Sequence, residues 1–83
     1  MIQVNIEIAE SDRANSDNSL SCQVYDAATG RHMFGGVWVG GTEDGNIVGN
    51  PRSFSDPISE DIFDVDIVIT TTNDFQYTVT VEQ

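Results

Sequence analysis

The chain has 83 residues, enough for one domain (1–83), and sets fourteen Asp and Glu against three Arg and no Lys, a formal net charge of -11. A surface this acidic repels nucleic acid and anionic lipid and attracts cations and basic protein surfaces, which excludes direct nucleic-acid or membrane binding. No apolar run approaches the roughly 18 residues that a spanning helix needs.

The apolar residues are of one kind. Nine Val, eight Ile and seven Thr accompany a single leucine, Leu20. β-branched side chains are stiff at χ1 and sit well on a pleated surface, whereas good helix formers are nearly missing. The composition predicts an all-β fold, a small antiparallel sandwich or barrel of five or six strands. At this size the folded surface is about 4,900 Å², so each net charge has only about 450 Å² and self-repulsion opposes compaction at low salt.

Ile2, Val4, Ile6 and Ile8 alternate with Gln3, Asn5 and Glu7, a strand with one buried face. Residues 10–19 hold Ser, Asp, Asn and Arg without apolar periodicity and read as an exposed loop. Leu20, Cys22 and Val24 form the next alternation, and Thr29-Gly30 marks a turn. Met33 to Val39 makes a third strand, interrupted by Gly35-Gly36 and closed by Gly40-Gly41, with Trp38 and Phe34 on one parity and Met33, Val37 and Val39 on the other. Asp44-Gly45 suits a type I′ hairpin returning through Ile47-Val48. Pro51 and Pro57 bracket an irregular stretch, with at most one helical turn near 56–61 capped by Asp56. Phe63 to Thr70 and Phe75 to Glu82 alternate strongly and read as a closing hairpin.

Chemistry finds few anchors in this pattern. Gly35 to Thr42 imitates the spacing of a phosphate loop, but Gly41 stands where the lysine belongs and a turn follows instead of a helix. Asp12, Asn15, Asp17 and Asn18, or Glu43, Asp44 and Asn46, offer oxygens to a hard cation without matching a calcium loop, so no metal site is expected. Cys22, the one cysteine, rules out an internal disulfide and a multi-cysteine zinc site; on an inward strand position its thiol is inert. His32, the one histidine, sits in a turn. No catalytic residue, enzyme activity or cofactor is expected.

The carboxylates remain as the candidate feature. Asp56, Glu60, Asp61, Asp64 and Asp66 fall within eleven positions, and Asp64 and Asp66 share a strand face at about 6.8 Å spacing. Consecutive phosphates of a nucleic-acid strand are similarly spaced, so such a row can stand in for them. The expected contacts are these five, with Glu43 and Asp44 as a second patch and Trp38 as an aromatic anchor if exposed.

The expected function is a small acidic, non-enzymatic protein that engages a basic protein surface. Its most concrete form is a nucleic-acid mimic that blocks a nucleic-acid-binding complex, the type of inhibitor bacteriophages turn against host defences such as CRISPR. A structural β subunit of a virion or appendage, homo-oligomeric through its terminal strands, is the first alternative. An ordinary domain of a halophile is the second: nine Asp against five Glu and no Lys fit high salt, while eight Ile do not fit a GC-rich genome. Met1-Ile2-Gln3-Val4 has neither the basic nor the apolar stretch of a secretory signal, so the expected location is the cytoplasm, that of the host cell if the protein is viral.

Overall fold

Alternating β-branched and polar residues become strands wherever they can bury one face, and here they do so in two stacked layers. The computed structural model describes residues 2–51, 54–55 and 64–82. In chain order its elements are β1 (Gln3–Ile8), α1 (Glu10–Arg13), β2 (Ser19–Asp26), β3 (His32–Val39), β4 (Thr42–Glu43), β5 (Asn46–Ile47), β6 (Phe54–Ser55), β7 (Val65–Thr71) and β8 (Tyr77–Glu82). The fold is all-β. One sheet has the order β6-β1-β8, the second β3-β2-β7, and β4-β5 is a separate hairpin. Every ladder is antiparallel.

The central strands supply the core. Val4, Ile6 and Ile8 of β1 meet Leu20, Cys22 and Val24 of β2, and Trp38 and Phe75 join them. Burying each of these large apolar side chains contributes about 1.5–3 kcal/mol. Among the described residues no buried side-chain nitrogen or oxygen lacks a hydrogen-bond partner.

This arrangement corrects two expectations, the closing hairpin and the loop over 10–19, and decides two conditions, the edge position of the N-terminal strand and the exposure of Trp38. The last two strands do not form a hairpin: β7 pairs with β2 and β8 pairs with β1, so residues 72–76 cross from one sheet to the other. Side chains pin that crossing. Thr72 Oγ1 donates to the carbonyl of Asp17 at 2.8 Å, and Asn73 Nδ2 donates to Asn18 Oδ1 at 2.9 Å. Phe75 then turns inward against Trp38, with ring centroids 6.2 Å apart.

The N-terminal strand is not an edge. β1 lies between β6 and β8, with Val4 opposite Val81 and Phe54, so β1 and β8 pair within one chain. Residues 10–19 are not wholly loop, since Glu10–Arg13 makes one helical turn. Trp38 is not an exposed anchor. It is 8% exposed and its Nε1 donates to the Gly49 carbonyl at 3.1 Å, because an inward position on β3 faces the core. The helical turn expected near 56–61 lies outside the described residues.

The glycine-rich stretch has a packing reason. A Cβ on Gly40 would collide with the carbonyl oxygens of Asn15 and Arg13. The Gly40 and Gly41 amides donate to the carbonyls of Asn18 and Arg13 at 2.8 and 2.7 Å, so the 10–18 segment lies against the end of β3. Asp44 and Gly45 take φ values of 52° and 81°, as a type I′ turn requires.

Candidate functional site

β2 presents opposite faces to its neighbours at alternate residues, which fixes what lies outward on this sheet. Ser21 stands between Val37 and Thr70, Gln23 between Gly35 and Val68, and Tyr25 between His32 and Asp66. A register shift at Val24/Tyr25 bulges β3 at Met33. That extra residue lets both Met33 and Phe34 pack against the core, although strict alternation assigns them to opposite faces.

Asp66 therefore shares an outer row with Tyr25 and His32. The two rings meet edge to face with centroids 5.3 Å apart, and His32 Nε2 donates to Gln23 Oε1 at 2.7 Å. Asp64 sits just before β7, exposed, and its carbonyl accepts the Ala27 amide at 3.2 Å. Asp26 ends β2 opposite Val65, and its carboxylate accepts the Ala28 amide at 2.9 Å. Asp26, Asp64 and Asp66 thus gather at the end of the sheet that carries the 27–30 turn.

Glu43 and Asp44 are exposed, but they lie elsewhere. Their hairpin follows β3 at its far end, beyond Val39, with a strand length of roughly 24 Å intervening. Asp56, Glu60 and Asp61 lie outside the described residues. The other described carboxylates are dispersed: Glu7 and Glu82 on the outer parity of the β1–β8 pair, Glu10 and Asp12 on α1, and Asp17 and Asp74 in loops. Acidity surrounds the molecule, with a local concentration beside β7.

The residues considered as cation ligands instead close turns. Asn15 Oδ1 accepts the Asp17 amide at 2.9 Å, and Asn18, buried, donates through Nδ2 to the Asp12 carbonyl at 2.9 Å. Among the described residues no group of three or more His, Cys, Asp or Glu is arranged to hold a metal ion. Cys22 is fully buried on the inner face of β2, and burial raises its thiol pKa. His32 is exposed on the outer parity, so these two side chains do not form a pair. A cavity of about 370 Å³ opens beside the β1–β8 pair, lined by Glu7, Ile8, Asn50, Gln76, Tyr77 and Thr78. No described helix is long and apolar enough to cross a membrane.

Sequence reasoning missed the polar residues that join the layers. Arg13 donates through Nε to the Ile8 carbonyl at 3.1 Å and through Nη1 to the Val48 carbonyl at 2.9 Å. Asn50 Oδ1 accepts the Ile8 amide at 2.9 Å. The available signal was an arginine and asparagines in a chain otherwise short of cations, but the partners that tie distant segments together, Val48 for Arg13, Ile8 for Asn50 and Asn73 for Asn18, are 35 to 55 residues away in sequence. Comparison with family models, with curated proteins and with solved structures found no significant match to this chain.

Proposed function

We propose that the protein is a non-enzymatic acidic binding module that docks on a basic protein surface through the end of the sheet bearing Asp64 and Asp66. The observation that carries this reading is the exposure of both carboxylates beside β7, next to Tyr25 and to Val68, which is 50% exposed. Charge of one sign around the whole chain draws a cationic partner in, and a local row with an apolar neighbour gives it a place to settle. In its most specific form the module is a nucleic-acid mimic of viral type, inhibiting a DNA- or RNA-binding complex in the cytoplasm. Asp56, Glu60 and Asp61, the other expected contacts, lie outside the described residues.

The test is binding of the full chain to a folded basic domain across a salt series, together with displacement of DNA from a nucleic-acid-binding complex. Asp64→Lys with Asp66→Lys is expected to weaken binding by roughly tenfold or more, about 1.4 kcal/mol, and to flatten its salt dependence. Unchanged affinity in that variant sinks the proposal.

Self-assembly is a second reading, favoured by Val37 and Val39, which stand 68% and 56% exposed on β3. Salt separates the two by sign. Screening weakens docking on a basic partner but favours association of copies that each carry -11. Acidity for solubility in molar salt, favoured by the dispersal of the remaining carboxylates, predicts unfolding when salt is removed.

A further inference from the structure

Of the sheet edges, β3 is backed by Phe54, whose ring lies where a Cβ on Gly36 would be. β8 carries one acidic residue, Glu82, among threonines on its outer parity. β7, like β3 and β8, ladders with one strand among the described residues, here β2, so the opposite edge of this seven-residue strand has no ladder partner among them; what sets it apart is the pair of exposed carboxylates, Asp64 and Asp66. Its inner row, Val65, Ile67 and Ile69, is only half-buried although it packs on the core, and its outer row, Asp66, Val68 and Thr70, is exposed.

We infer that β7 receives an extended segment of the partner by strand addition, and that this segment alternates basic and apolar residues. The inference rests on the proposed docking at Asp64 and Asp66 and adds its geometry. An edge strand offers a row of backbone donors and acceptors that an incoming strand satisfies, while side chains of alternating parity set the specificity. Inward residues of the incoming strand would cover Ile67 and Ile69. Outward residues would lie beside Asp66 and Asp64, where arginine or lysine gains a cross-strand opposite charge. A second copy of this chain is the poorer occupant, because it brings another -11 and its own Asp64 and Asp66 to the same edge.

The experiment uses the full chain and a peptide as long as β7 in which arginine and valine alternate. Two N-methylated versions of that peptide block alternate backbone amides in each phase, and a fourth peptide has glutamate for arginine. Calorimetry is expected to show binding of the first, at least about tenfold weaker binding of one or both methylated forms, since each lost backbone hydrogen bond counts, and none by the glutamate form. Hydrogen exchange is expected to gain protection at Val65–Thr71. Equal binding by the methylated peptides, or protection confined to other strands, overturns the inference. If the peptides fail while a folded helical basic domain binds and Asp64→Lys with Asp66→Lys abolishes it, strand addition falls and the proposed function stands. If neither ligand binds, both fall.

Discussion

The inward rows of the central strands and those of the edge strands look alike in sequence and differ in what they bury. On β1 and β2 every inward apolar residue is almost fully enclosed, with Val4, Ile6, Leu20, Cys22 and Val24 at 0% exposure. On β8 the same parity leaves Tyr77 39% and Val81 43% exposed, and on β7 Ile67 and Ile69 are half-buried. A period-two pattern specifies a face, but only neighbours on both sides close that face off from water. The centre of each sheet therefore carries stability and the edges carry surface.

The largest expected effect lies at the centre. Leu20→Ala should cost about 2–5 kcal/mol, since both the transfer of its side chain and the cavity left behind count. Val81→Ala, on an edge, should cost under about 1 kcal/mol because its side chain is already wetted. Denaturant midpoints of the two variants measure the difference, and similar losses would break the contrast between centre and edge.

A smaller effect is expected at the corner that sends β7 and β8 to different sheets. Asn18→Ala removes a buried amide that donates to the Asp12 carbonyl and accepts from Asn73. Leaving those groups unsatisfied should cost about 1–3 kcal/mol. Thermal unfolding of Asn18→Ala and Asn73→Ala, singly and together, checks the coupling; additive losses would mean that the two side chains do not act as one joint.

The smallest effect is alkaline. Burial raises the Cys22 thiol pKa in the folded state, so the unfolded chain ionises first as pH rises. The contribution of the neutral thiol is fully present below the ordinary thiol range and is lost as pH climbs toward the raised folded value. Melting temperature against pH should therefore fall more steeply above that range in the native chain than in Cys22→Ala. The native thiol should also react with a thiol reagent only at the rate of unfolding. Prompt labelling of folded protein would show the middle of β2 to be no better sealed than an edge.

Much of the fold was legible. The alternations at Ile2–Ile8 and Leu20–Val24, the Asp44-Gly45 turn and the strand ending at Val39 all appear within a residue or two of expectation. Pairing was less legible. Phe75 to Val81 alternates as a return strand would, yet it pairs with β1 because Thr72 and Asn73 bind the 17–18 loop and turn the chain across the core. The candidate site was legible only in part. Asp64 and Asp66 follow from alternation. Their placement beside Tyr25 and His32, and the separation of Glu43 and Asp44 to the other end of β3, depend on register.

The order of the residues settled on its own that the chain is β-rich, which side of each strand is apolar, and that its surface is overwhelmingly anionic. Those properties follow from side-chain branching, two-residue alternation and charge, all of which are local or additive. The folded arrangement alone decided that β1 and β2 sit centrally, that Trp38 turns inward, and that β7 stands at an edge with two carboxylates beside it. Such outcomes depend on contacts between segments far apart in the chain, where one bulge at Met33 or one asparagine at a corner redirects an entire strand.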